Sequence, residues 1–130
     1  PVFVAGNLVA FACDRAHQSD IGGGSAGTYN AEATDIFQEG LRLPPVRVVD
    51  KGEYRKDLWQ LILLNTRTPE LLDGDLQAMI GATRVGGERI VALAQELGPD
   101  TTAAVFDAVL DHADARFRQV VASLPDGVYT

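Results

Sequence analysis

The chain has 130 residues, 46% of them hydrophobic and 22% charged, a composition suited to one folded domain with its own core. Its 11 Lys and Arg are scattered and outnumbered by 18 Asp and Glu, and the net charge of −7 argues against nucleic acid or an anionic membrane as partner. No apolar run approaches bilayer-spanning length and no signal peptide is visible.

In chain order, Val2–Val4 and Leu8–Cys13 are short apolar runs separated by Ala5-Gly6-Asn7, which predicts a β-hairpin with both faces covered. Residues 18–33 have no period and are rich in Gly, Ser and Ala, so they read as a loop. Thr34–Glu39 predicts one helical turn, capped by Thr34 or Asp35 and ended by Gly40. Leu41–Val49, interrupted by Pro44-Pro45, predicts extended edge structure or two short strands, followed by a turn at Asp50-Lys51-Gly52.

Helices follow. Leu58, Leu61, Ile62 and Asn65 share one helical face. Thr68-Pro69-Glu70 reads as a cap, a proline at the first helical position and an acidic first turn. The stripe Leu72, Leu76, Met79, Thr83, Ile90, Ala94, Leu97 predicts a long helix, in which Gly81, Gly86 and Gly87 imply close approach of another backbone. Gly98-Pro99 stops it, Asp100 or Thr101 caps the next helix, and Phe106, Val109, Leu110, Phe117, Val120 and Val121 form that helix's stripe. The expected fold is therefore α+β: an N-terminal β-hairpin and extended segment, then long helices including a C-terminal antiparallel αα-hairpin. Residues 1–53 would form the β/loop site region and 54–124 the helical region. The chain starts inside a strand pattern without methionine and stops at Tyr129-Thr130, just after Pro125-Asp126-Gly127. This reads as a single domain or a piece of a longer polypeptide.

Chemistry-bearing residues concentrate where the first apolar run meets the glycine loop. His17 and Asp20 are ordinary ligands for Zn, Mn or Fe, or an acid–base pair, or a backbone-bonded histidine beside a loop-capping aspartate. Gly22, Gly23 and Gly24 open a stretch that formally matches G-x-G-x-x-G. No strand directly precedes it and no helix follows, so a flexible, substrate-covering loop is expected instead of a nucleotide site. Glu39 and Arg42 read as an ion pair or as groups holding a substrate carboxylate and amide. Cys13, the only cysteine, excludes an internal disulfide and reads as a small core residue or a nucleophile, and a reducing, cytoplasmic compartment is expected. His112 reads as surface, and Tyr54 and Trp59 as packing residues.

Several blocks resemble one family. Arg15-Ala16-His17 through Asp20-Ile21-Gly22-Gly23, then Ala33-Thr34-Asp35-Ile36-Phe37-Gln38-Glu39-Gly40-Leu41-Arg42-Leu43-Pro44-Pro45-Val46, look like the hydantoinase B/oxoprolinase family. Asn65-Thr66-Arg67-Thr68-Pro69-Glu70, Gly74-Asp75-Leu76, Arg84-Val85-Gly86 and Leu124-Pro125-Asp126-Gly127 resemble it in the same order. The resemblance implies an internal portion of a larger subunit in ATP-dependent chemistry on a small carbonyl compound. A hydantoinase A-like partner would handle ATP, and the assembly would be a homo- or hetero-oligomer. It implies a divalent metal with His17 as one ligand, the others coming from a His-x-x-Asp stretch before Pro1. With His17 so placed, we expect Asp20 to accept from the other ring nitrogen and fix its tautomer, and Glu39 and Arg42 to orient substrate or loop. Relatives read His-His where this chain has His17-Gln18, and Pro-Gly-Ser where it has Ala26-Gly27-Thr28. Cyclic-amide hydrolase, ketone carboxylase and non-catalytic helical assembly module all stay open.

Overall fold

A computed structural model describes residues 1–128, so the chain end at Tyr129-Thr130 lies outside the described residues. The architecture is α+β: strands β1 (Val2–Val4), β2 (Asn7–Ala10), β3 (Val49–Asp50) and β4 (Glu53–Tyr54), then helices α1 (Lys56–Leu64), α2 (Pro69–Leu97) and α3 (Pro99–Ala122). Two compact units form, residues 1–12 with 84 onward, and residues 13–83. This grouping differs from the expected halves because α2 contributes to both units.

In the first unit β1 and β2 pair antiparallel, with Phe3 opposite Leu8, Val4 opposite Asn7 and a bulge beside Val2. Ala5 and Gly6 turn with φ of 49° and 83°, the twist that suits a two-residue hairpin. Only one hairpin face is covered: Val2 is buried, whereas Phe3 and Leu8 are half exposed. Gly86 and Gly87 explain what meets α2 there. A methyl on Gly86 would lie 3.6 Å from Ala12 Cβ, and one on Gly87 3.5 Å from Val2 Cγ2. What approaches these glycines, at ordinary van der Waals distance, is strand β1 at Gly87 and the segment just past β2 at Gly86, and nothing lies within 4 Å of a methyl on Gly81.

Gly98 is the N-cap of α3, with Pro99 at the helix start and no side-chain cap from Asp100 or Thr101. The buried Thr102 hydroxyl instead donates to the Gly98 carbonyl at 2.9 Å. Past Phe106 the α3 stripe is left uncovered by the rest of this chain, Val109, Leu110, Phe117 and Val120 all being exposed.

In the second unit the predicted helical turn is a 3-10 turn at Ile36–Gln38, capped by the Asp35 carboxylate, which accepts from Phe37 N at 2.8 Å. The extended segment through Pro44-Pro45 forms no ladder. The turn at Lys51-Gly52 instead closes a short hairpin of β3 and β4, with Val49 opposite Tyr54. Ile62 of α1 and Leu72 of α2 are buried, and α2 begins at Pro69 with Glu70 in its first turn. Trp59 packs edge-on against Tyr54, ring centroids 4.9 Å apart, and its indole N–H donates to Asp73 at 2.6 Å. Both aromatic residues are thus accounted for by packing.

Candidate functional site

The site region is organised by Asp20. Its side chain is 3% exposed, and both carboxylate oxygens are fully engaged. Oδ2 accepts from Arg67 N at 2.6 Å and from Thr66 Oγ1 at 3.2 Å. Oδ1 accepts from Arg67 Nη1 at 2.9 Å and from Gly27 N at 3.2 Å. The Arg67 backbone N–H, more than any other group, holds the Asp20 carboxyl below the usual carboxylate range. Burial opposes the shift, and the Arg67 guanidinium and Thr66 hydroxyl reinforce it. A carboxylate with four donors already placed has no lone pair free for a ring nitrogen or a substrate proton. Asp20 is a structural charge at this position, and its expected role of orienting His17 is not what the geometry shows.

Arg67 completes the clamp. Besides Asp20, its guanidinium donates to Ser25 O at 3.1 Å and to Gly23 O at 2.7 Å. One planar fork thereby ties three points of the glycine loop to the link between α1 and α2. Candidate site residues chosen by motif did not include Arg67. The available signal was its place in Asn65-Thr66-Arg67-Thr68, a polar stretch between two helices where no apolar stripe calls for it.

The glycines are a second set of ties. Gly24 N donates to Gln38 O at 2.9 Å and Leu41 N to Ile21 O at 2.8 Å, so residues 21–24 and 38–41 cross backbone to backbone. Gly23 has φ of +84°, and a methyl there would lie 2.6 Å from Gln38 O. Only glycine permits both that conformation and that approach. The start of the loop is therefore a crossing tied backbone to backbone.

His17 is exposed. Its Nε2 pairs with the Thr28 hydroxyl, and its ring lies 5.1 Å from that of Tyr29. Together with the Asp20–Gly27 bond this contact closes the base of the loop. Gln18 donates to Ala16 O at 3.3 Å and meets Met79 Sδ at 3.2 Å, while its Oε1 is buried without a partner. Cys13 is exposed, so it is not a core residue. His112 is exposed as expected. Among the described residues no three His, Cys, Asp or Glu gather to hold a metal ion. A lone imidazole bonded to a hydroxyl, beside an aspartate committed elsewhere, does not by itself fit a divalent cation.

The crossing forms one side of a cleft of about 880 Å³. Ile21, Gly22 and Gly23 line it together with Phe37, Gly40, Leu41 and Arg42 from the segment crossed with them, and with Asn65 at the α1 end. Arg42 lies over the Phe37 ring, 5.1 Å from its centroid. It forms no ion pair with Glu39, which is exposed and does not line the cleft. The structure thus gathers Gly22, Gly23 and Arg42 around one opening, and leaves His17, Asp20 and Glu39 outside it.

The family model described as Hydantoinase B/oxoprolinase matches residues 1–130. The chain is 38% identical over 130 residues to the beta subunit of caprolactamase from Pseudomonas jessenii, covering 100% of this chain and 22% of that protein. It is 33% identical over 131 residues to the B component of a putative D-/L-hydantoinase from Pseudomonas sp. (strain NS671), covering 100% and 22%. To the acetophenone carboxylase delta subunit of Aromatoleum aromaticum it is 30% identical over 130 residues, covering 99% and 19%. The crystal structure of the ATP-dependent caprolactamase from Pseudomonas jessenii superposes with a TM-score of 0.74 at 38% identity, over 85% of this chain and 19% of that one. The chain spans about a fifth of the length of these relatives. No helix among the described residues is long and apolar enough to cross a membrane.

Proposed function

The chain belongs to the hydantoinase B/oxoprolinase family, and from that premise we propose that it is a stretch of a subunit that opens cyclic amides in an ATP-dependent reaction. The observation that carries this reading is the end-to-end match to the caprolactamase beta subunit, supported by the fold shared with the ATP-dependent caprolactamase. In this reading a hydantoinase A-like partner takes up ATP and activates the amide oxygen, and the longer polypeptide containing this chain completes ring opening on a hydantoin-, lactam- or 5-oxoproline-type substrate.

The contribution of these residues is a preorganised cleft wall. A ring amide held for attack must be placed within a fraction of an ångström, and such placement comes from groups whose own positions are fixed. The Asp20–Arg67 clamp and the crossing of residues 21–24 with 38–41 fix Gly22, Gly23 and the segment leading into Arg42. Arg42 faces substrate in this reading, with Glu39 as a peripheral group. A divalent cation, if the complete enzyme uses one, draws on His17 and on ligands beyond this chain, and no step is assigned to it.

The test is reconstitution of the full polypeptide with its partner. ATP-dependent opening of a lactam or hydantoin, with ADP and ring-opened product formed together and no requirement for bicarbonate, supports the reading. The resemblance to the acetophenone carboxylase delta subunit favours one alternative, a component of a ketone carboxylase. Turnover that needs both bicarbonate and a ketone would establish that alternative and overturn the hydrolase.

A further inference from the structure

We infer that Arg42 is the specificity-determining fork of the cleft, and that it selects small substrates carrying an oxyanion, a carboxylate or a phosphate, on a compact apolar body. Arg47, Arg55, Arg67, Arg84 and Arg118 are each paired with a carboxylate of the chain. Arg42 has no such partner and is held instead by the face of Phe37. Arg15, Arg89 and Arg116 also have no carboxylate partner among the described residues, Arg116 donating to Gln119 Oε1 at 2.9 Å, but no aromatic ring fixes any of the three.

Stacking leaves the in-plane N–H edge of a guanidinium available, and that edge matches two oxygens of one anion. In a chain of net charge −7, an unpaired cation set in a cleft wall is a local exception that an anionic ligand would complete. The same lining adds donors: the backbone N–H groups of Gly22 and Gly23 are paired with no acceptor among the described residues. Ile21, Leu41, Leu43 and Pro44 supply apolar lining for the body of the ligand. The inference rests on the proposed function for its view of the cleft as a substrate site, while the anion recognition itself can be measured without turnover.

The experiment is calorimetric titration of the full polypeptide with three probes: 5-oxoproline, its carboxylate-free counterpart 2-pyrrolidinone, and inorganic phosphate. Either anion should bind, bind more weakly as salt is added, and lose about tenfold or more in affinity in Arg42→Gln, the usual scale for hydrogen bonds to a charged group. Arg42→Lys keeps the charge without the fork and should fall between the two. The response to 2-pyrrolidinone should not change on substitution. Preference for 5-oxoproline assigns the oxyanion to a carboxylate and preference for phosphate assigns it to a phosphoryl group. Phe37→Leu, which frees the guanidinium without removing it, should weaken the same anions and serves if Arg42→Gln fails to fold. If neither anion binds, or if both bind Arg42→Gln as they bind the wild type, the inference is overturned. Loss of ATP-dependent ring opening with anion binding intact would sink the proposed reaction and leave Arg42's role standing.

Discussion

Replacing Gly23 by alanine tests whether the glycine loop is a rigid crossing or a mobile cover. The added methyl would lie 2.6 Å from Gln38 O and 2.9 Å from both Glu39 C and Gly40 N. Backbone cannot swing aside as a side-chain tip can, so the two strands of the crossing must part by about 0.8 Å to regain ordinary contact. That movement stretches the 2.9 Å bond from Gly24 N to Gln38 O beyond hydrogen-bonding range. Alanine at φ of +84° costs about 1–2 kcal/mol, and loss of the bond about 1 kcal/mol more. A local destabilisation of about 2–3 kcal/mol should speed amide exchange roughly 30- to 150-fold across residues 20–42, read by hydrogen-exchange mass spectrometry of the full polypeptide. Gly24→Ala is the internal control, because its methyl meets the Asn30 side-chain amide at 2.8 Å and backbone no nearer than Gln38 O at 3.8 Å. Wild-type protection in Gly23→Ala, or equal effects of the two substitutions, would refute the rigid crossing.

Gly81→Ala should stabilise α2 by about 0.5–1 kcal/mol, since nothing lies within 4 Å of the new methyl. A loss of protection along 74–88 would instead reveal a neighbour from outside the chain packed on that face. Leu72→Ala removes one of the most buried side chains and should cost about 2–5 kcal/mol, visible as faster exchange in 59–76. Asp20→Asn should lower the melting temperature at pH 7. Because the folded Asp20 carboxyl is held below its ordinary value, its stabilisation is present above about pH 4 and fades as pH falls through the lowered value. The gap between wild type and Asp20→Asn must therefore narrow on acidification, and a gap independent of pH would contradict the clamp.

Periodic information in this chain was legible, and relational information was not. The stripes of α1 and α2 and the stop at Gly98-Pro99 follow from local spacing and are where the residues indicate, and the first hairpin forms, its second strand covering Asn7–Ala10 instead of Leu8–Cys13. What covers a stripe depends on elements elsewhere. Val109, Leu110 and Phe117 have core-like spacing yet nothing within this chain covers them. Gly86 and Gly87 signal an approach without saying that β1 and the segment just past β2 make it. Cys13 fails for the same reason: an apolar run predicts burial only if something packs on it, and here the thiol is exposed.

The site shows the same division more sharply. His17 and Asp20 are neighbours in sequence and both chemically capable, which makes them the natural pair when only spacing is available. The structure gives each a different partner, Thr28 for the ring and Arg67 with Thr66 for the carboxylate. The decisive competitor was 47 positions away, and its advantage is physical. A guanidinium and a backbone N–H offered by one residue satisfy a buried carboxylate in a way that a single imidazole nitrogen cannot. Once Asp20 is committed to that bond, the glycine loop is fixed from beneath. Of the residues singled out by sequence, Gly22, Gly23 and Arg42 lie on the cleft side of the crossing, whereas His17 and Asp20 do not.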